Sequence, residues 1–238
     1  SPWGEGRPGW HIECSSFCRK MFGDEPPCPV LHSGGRDLRF PHHENEIAQS
    51  QALLETDRWV QHWVHAGQLS IRGLKMSKSL KNFVTIKDYL ANGGSPSLWR
   101  IFCLLHRYSA DIEWSPEGEA EARAWERSFA SFFAAVRPVA TLHQHPYSAY
   151  EEHQEKHGAG APLRWPEEAH ELLECLVLTR HQVADHLRDD IDTPSAMRRL
   201  KHLMGESQRV LGTLEDKGTP ASVVWPLVGN VAGYVQGE

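Results

Sequence analysis

Pro41-His42-His43-Glu44-Asn45-Glu46-Ile47-Ala48-Gln49-Ser50-Gln51-Ala52-Leu53-Leu54 is the stretch from which the fold can be read. It predicts a helix with proline near the first turn, where a missing N–H is harmless. Before it, Val30-Leu31-His32 reads as a short strand end running into Ser33-Gly34-Gly35. After it, Val60 to Ala66 reads as a buried strand with alternating large side chains before a turn at Gly67. Strand, helix, strand is the order of an α/β layer. Upstream, Trp10 to Phe22 reads as a further helix following the turn Gly6-Arg7-Pro8-Gly9.

Downstream the composition changes. From about Ser95, long amphipathic segments of Ala, Glu, Arg and Leu replace the Gly, His and aromatic residues of the first 90 or so. Helix starts are written at Thr85, Ser95-Pro96, Ser115-Pro116 and Thr193-Pro194, each with a side-chain oxygen at the cap and, in the last three, proline at the first helical position. Helices are expected at about 86–91, 96–107, 116–142, 166–189, 194–214 and 222–236. Apolar faces of Trp99, Phe102, Leu104 and Leu105, and of Trp125, Phe129, Phe132 and Phe133, read as core. His143 to Pro166 crowds His, Gln, Glu, Gly and Pro without apolar period and reads as a loop or disordered insertion. The expected fold class is α/β followed by all-α, divided into 1–94 and 95–238, with 143–165 as the insertion.

With 40% hydrophobic residues, the 238-residue chain can bury a sizeable core. No run of about 18 apolar residues marks a membrane span, and Ser1-Pro2-Trp3-Gly4 is not a signal sequence. The chain starts without methionine, which reads as a fragment or a processed form. Cys14, Cys18, Cys28, Cys103 and Cys175 are odd in number and scattered, fitting a reducing compartment rather than a disulfide framework. A net charge of -6 gives no global basic field, so a polynucleotide would have to meet a local patch.

Two constellations carry chemistry. In Gly73-Leu74-Lys75-Met76-Ser77-Lys78-Ser79-Leu80-Lys81-Asn82, two lysines three apart among small hydroxyl residues make a cationic loop suited to polyphosphate. His42 and Glu46, four apart on a helix, project from one face, and the thiolate of Cys14 would complete an N, O, S set that favours zinc. A surface His–Glu pair with Cys14 as a small buried hydrophobe is the other reading of that spacing. Cys18, one turn on, reads as core, Cys28 as part of a rigid Pro-rich turn, and Asp189-Asp190-Ile191-Asp192 as a charged helix junction.

Four ordered blocks then carry a resemblance: Gly6-Arg7-Pro8-Gly9-Trp10-His11-Ile12-Glu13-Cys14-Ser15; His32-Ser33-Gly34-Gly35-Arg36-Asp37-Leu38-Arg39-Phe40 running on through Pro41 to Ser50; His65-Ala66-Gly67; and Lys75-Met76-Ser77-Lys78-Ser79. Together they resemble the cysteinyl-tRNA synthetases, within the class I aminoacyl-tRNA synthetases, densely over residues 1–90. The resemblance implies the C-terminal portion of a Rossmann-like catalytic domain followed by helical stem-contact and anticodon-binding parts. It implies Zn2+ ligands Cys14, His42 and Glu46, Trp10 and His32 at the amino-acid pocket, Asp37 near the ATP ribose, and Lys75 and Lys78 as catalytic groups on the ATP phosphates, with Mg2+ as counter-ion. His43 and Glu44 are expected in supporting roles, and Lys81 and Lys87 as a basic strip near tRNA or as solvated helix-end charges.

The implied activity is cysteine-tRNA ligation: ATP-dependent formation of cysteinyl adenylate and transfer to the 3′ end of tRNA(Cys), with L-cysteine, ATP and tRNA as partners and a cytoplasmic or organellar location. Zinc would select the thiolate, which a hydrophobic pocket worth about 1–3 kcal/mol could not do. Two features depart from the family: a His-x-Gly-His turn and a further cysteine ligand have no counterpart in this chain, so both are expected upstream and the chain alone is not expected to activate cysteine. Ser33 also stands where the family has glycine. Two alternatives stay open: a relative that joins cysteine to an amino sugar, and a non-catalytic fragment that binds tRNA or a protein.

Overall fold

β1 (Leu31–Gly35) and β2 (His62–Ala66) pair in parallel from Leu31 against His62 to Gly35 against Ala66. A parallel pair needs a crossover, supplied by a short 3-10 turn (Arg36–Leu38), a π-type turn (Arg39–His43) and helix α2 (Glu44–Leu54). This is the strand, helix, strand order expected, except that the second strand begins at His62 rather than Val60 and is half-buried or exposed rather than buried. The computed structural model describes residues 2–24, 29–71, 73–76, 82–142, 155, 158, 165–218 and 224–237. The chain divides into two compact units, Ser1–Val84 with Tyr108–Trp114, and Thr85–Arg107 with Ser115–Glu238.

In the first unit, α1 (His11–Phe22) precedes β1 and packs on α2. A second small sheet has the order β4 (Leu74–Lys75), β3 (Leu69–Ile71), β5 (Ile112–Trp114), antiparallel on one side of β3 and parallel on the other. The sequence did not foretell these strands; each is too short to show a period. Two glycines explain how the layer closes. A Cβ at Gly67 would lie 1.9 Å from the Ala110 carbonyl oxygen, and the Gly67 N–H donates to the Tyr108 carbonyl at 2.8 Å. A Cβ at Gly34 would lie 2.7 Å from the His43 ring, so the strand passes His43 at a distance only glycine permits. The Arg36 guanidinium donates to both carboxylate oxygens of Asp111 at 2.6 Å, and Asp111 also accepts from the Gln68 N–H at 2.8 Å.

The second unit consists of α3 (Ile86–Ala91), α4 (Pro96–Leu104), α5 (Pro116–Leu142), α6 (Glu167–Arg188), α7 (Thr193–Asp216) and α8 (Trp225–Gln236). The caps at Thr85 and Ser95 form as read: Thr85 and Asp88 make a reciprocal capping box, and Ser95 Oγ accepts from the Leu98 N–H. Ser115 Oγ accepts from the Gly118 N–H. At α7 the expected cap is corrected: Asp192, not Thr193, accepts from the Ser195 N–H, while Thr193 is already helical and its hydroxyl donates to the His106 carbonyl. The carboxylate holds a full charge where the helix presents its positive end. That also accounts for the Asp189–Asp192 run as a junction, since Asp192 pairs with Arg107 at 3.0 Å.

α4 stops at Leu104, short of residue 107. Phe132, Val136, Leu172, Leu176, Leu203, Val210, Leu214 and Val228 join α5 to α8 in one apolar core. The expected insertion, apart from Glu155, Gly158, Trp165 and Pro166, lies outside the described residues, as do residues 222 and 223 of the last expected helix.

Candidate metal centre

The inward stripe of α1 is not apolar. Positions 11, 14, 15 and 18, spaced to share one helix face, are His11, Cys14, Ser15 and Cys18, while Phe17, Met21 and Phe22 are exposed. Facing this stripe, the π-type turn and the first turn of α2 present His42 and Glu46. Ser15 Oγ donates to Gln49 Oε1 at 2.7 Å and fastens the two helices. The Cys14 sulfur, a His42 ring nitrogen and a Glu46 oxygen lie within 4.8 Å of one another, and so do donor atoms of Cys18, His32 and Glu46.

Glu46 is the anomaly of the unit. It is fully buried, and neither carboxylate oxygen accepts a hydrogen bond. His42 Nε2 lies 2.9 Å from one oxygen and His32 Nε2 3.7 Å from the other, yet no ring N–H points at either. An unpaired buried carboxylate is strongly unfavourable, and burial pushes its pKa up to about 7. Burial, then the charges of Glu46 and Glu13, raise the Cys14 thiol. Burial lowers His42 and His32, with neighbouring imidazoles adding to the effect. Without a cation every group in the set is driven to its neutral form; a bound cation would reverse this for the acid and the thiol. Sulfur, imidazole nitrogen and carboxylate oxygen are the donors zinc takes, so these residues fit the metal expected from the sequence.

A second layer orients the donors. His11 Nδ1 lies 2.7 Å from His42 Nδ1, a contact that orients the His42 ring with Nε2 toward Glu46. The Trp10 indole stacks on His42 at 5.5 Å, and the His32 ring stacks on Trp63 at 4.6 Å. His43 belongs to neither donor group: it is buried, its Nδ1 sits 2.8 Å from His65 Nε2, and burial holds its pKa at about 4. Sequence reading left His11, Trp59 and Trp63 without a role. For His11 the signal was available, since it shares a helix face with Cys14. A cleft of about 450 Å³ along α1 and α2 is lined by Ser15, Arg19, Gln49 and Trp59 among others, and by none of the donor residues.

The family described as the class I (C) tRNA synthetase catalytic domain matches residues 1–124. The chain belongs to that family.

Relatives of this class I (C) synthetase chain include the cytoplasmic cysteine-tRNA ligases of Dictyostelium discoideum, 36% identical over 99% of this chain and 33% of its own length, and Drosophila melanogaster, 38% identical over 99% and 29%. The Homo sapiens cytoplasmic cysteine-tRNA ligase is 37% identical over 86% of this chain and 25% of its own. The chain thus spans between a quarter and a third of the length of these relatives. Among solved structures, LeuRS of Agrobacterium radiobacter, in ternary complex with tRNA and LeuAMS, superposes with a TM-score of 0.65 at 15% identity, over 95% of this chain and 30% of that one. Mycobacterium tuberculosis methionyl-tRNA synthetase bound by methionyl-adenylate gives 0.62 at 16%, over 88% and 41%. At such identities the likeness establishes the class I synthetase fold: part of a Rossmann-like domain followed by helices. Among the described residues, no helix is long and apolar enough to cross a membrane.

Of the other site residues read from the sequence, Asp37 is exposed on the turn that leaves the C-terminal end of β1. Open α/β sheets bind their ligands at that end. Glu44 is exposed and away from both donor groups. Lys75 pairs through its backbone with Ser70 on β3; Lys78, Lys81 and Cys28 lie outside the described residues.

Proposed function

We propose that this chain carries the amino-acid-selecting part of a cysteine-tRNA ligase, located like its namesakes in the cytoplasm. The observation that carries the reading is Glu46, a buried carboxylate with no hydrogen-bond partner, facing Cys14 and His42, in a chain whose relatives are cysteine-tRNA ligases.

Cys14, His42 and Glu46 would hold zinc, and His11, whose Nδ1 lies 2.7 Å from His42 Nδ1, would orient that ring with Nε2 toward the metal. When bound, zinc supplies a soft Lewis acid that ionises the substrate thiol and gives serine's hydroxyl no comparable hold. Trp10 and His32 border the amino acid on either side of the donors. Asp37 meets the ATP ribose, and Lys75 and Lys78, with Mg2+, neutralise charge on the phosphates as the cysteine carboxylate attacks the α-phosphate and pyrophosphate departs. The 3′-terminal hydroxyl of tRNA(Cys) then takes the cysteinyl group from the adenylate, and the helices of the second unit serve that tRNA.

Calorimetric titration of the zinc-loaded chain tests the reading. L-cysteine binds with proton release while L-serine does not, and Glu46→Gln loses both the zinc and the cysteine response. Equal binding of serine, or cysteine binding that survives Glu46→Gln, overturns it.

A further inference from the structure

The Asp37 turn and the segment that carries Lys75 belong to different sheets: β1 pairs with β2, whereas Lys75 lies on β4, in the sheet of β3 and β5. One short segment reaches both. Asp111, just before β5, accepts from Arg36 Nη2 at 2.6 Å on each carboxylate oxygen and from the Gln68 N–H at 2.8 Å. Arg36 is the chain neighbour of Asp37, whose carboxylate folds back on the strand end, so that a Cβ at Gly35 would lie 2.6 Å from Asp37 Oδ1. On β5 itself, Glu113 Oε1 accepts from the Gly73 N–H at 3.0 Å. Gly73 stands at φ 70° in the turn between β3 and β4, just ahead of Lys75. The Gln68 N–H, ahead of the Arg36 charge, holds the Asp111 carboxyl below the usual carboxylate range. Arg36 and Asp111 are 53% and 59% exposed, so their pair adds little to stability. What it fixes is geometry, and a misplacement of about 1 Å is costly to a binding site.

We infer that Asp111 and Glu113 are positioning residues for ATP. Through Arg36, Asp111 holds the turn that carries Asp37; through the Gly73 N–H, Glu113 holds the turn that leads to Lys75. This rests on the ATP roles proposed above for Asp37 and Lys75, and adds to them a segment that lies outside every block of sequence carrying the resemblance. The two ties act on different ends of the nucleotide. Asp111 serves the nucleoside, Glu113 the phosphates.

Titrations of the chain with ATP, adenosine and tripolyphosphate, followed by NMR, separate these ends. Arg36→Ala and Asp111→Ala should each weaken adenosine and ATP by about five-fold and leave tripolyphosphate unchanged, and the double variant should be no weaker than either single one, since both break the same tie. Arg36→Lys should keep the affinity, because both bonds come from a single guanidinium nitrogen that an ammonium can replace. Glu113→Ala should weaken ATP and tripolyphosphate and leave adenosine unchanged. A merely structural role would weaken all three ligands together, and that result overturns the proposal, as do additive losses from Arg36→Ala and Asp111→Ala. Loss of adenosine binding in Asp37→Ala, with Arg36→Ala unaffected, removes the positioning role and leaves the ATP reading standing. No adenosine or ATP binding by the unsubstituted chain, or an Asp37→Ala variant that binds both as before, removes the two together.

Discussion

Among the described residues of the first unit, Trp59 is the one large apolar side chain that is buried, whereas His11, Ser15, His42, His43, Glu46 and Ser50 all are. Phe17, Met21, Phe22 and Phe40 stand exposed on the same unit. In the second unit the assignment is reversed: Phe102, Phe132, Leu172, Leu203 and Val228 fill the interior, and among its described residues the buried polar side chains are Thr179, Asp192 and Ser207. Burying polar groups costs stability unless each is satisfied, and Glu46 is not. The first unit's interior is therefore shaped by what it must hold, the second's by what it must exclude.

The comparison breaks most directly in the second core. Phe132→Ala removes a fully buried ring and should destabilise that unit by about 3–5 kcal/mol in denaturant unfolding. Phe17→Ala, at 63% exposure in the first unit, should move stability by no more than about 0.5 kcal/mol. Equal losses would mean that the first unit leans on its apolar residues as the second does.

Next comes the polar interior itself. In the metal-free chain the Glu46 carboxyl titrates at about 7, against 4.5 for an unperturbed group. The folded state therefore holds the proton that the unfolded state releases, and the stability this gives is full below 4.5 and lost as pH rises through 7. His43, held near 4 against 6.5, acts in the opposite sense, gaining as pH rises through much of the same window. Only a difference measurement isolates the acid. Glu46→Gln should match the unsubstituted metal-free chain near pH 4.5 and exceed it by up to about 3 kcal/mol above pH 7. With zinc present the order inverts, because only the carboxylate ligates. A metal-free difference that stays flat with pH would show that Glu46 has a partner in solution.

Third, Gly67→Ala places a methyl group against the Ala110 carbonyl, a backbone atom that cannot rotate away. A loss of about 1–3 kcal/mol from the first unit is expected in chemical denaturation. A neutral result would mean that the 108–114 segment is free to shift.

How much could be read beforehand divides along the same line. Periodicity and caps placed the helices of the second unit within a few residues, because apolar burial writes a 3.6-residue period into the chain. In the first unit β1, α2 and β2 were legible, but β3, β4 and β5 were not: Ile112–Trp114 pairs with Leu69–Ile71 across some forty residues of chain, a contact with no local trace. Cys14, His42 and Glu46 were named from the resemblance and from an i, i+4 spacing, and the fold brings them together. His11 was given no role, although it shares a helix face with Cys14; the partner that gives it one, His42, lies 31 residues along the chain.

The smallest effect tests the finest point of difference, the start of α7. The text Asp192-Thr193-Pro194 offers two caps, and the fold takes the first. Asp192 accepts from the Ser195 N–H at 3.2 Å and from the Ser195 hydroxyl at 2.6 Å, and pairs with Arg107 at 3.0 Å. The Ser195 hydroxyl bond, ahead of the Arg107 charge, holds the Asp192 carboxyl below the usual carboxylate range. Asp192→Ala should therefore cost about 0.5–2 kcal/mol, an effect that fades as pH falls through the carboxylate range, where the lowered pKa stops contributing. Thr193→Ala should cost a few tenths at most, since its hydroxyl reaches the His106 carbonyl only at 3.4 Å. If the two losses come out reversed, threonine is the cap and the helix begins one residue later, which returns the buried Asp192 to solvent and breaks its pair with Arg107.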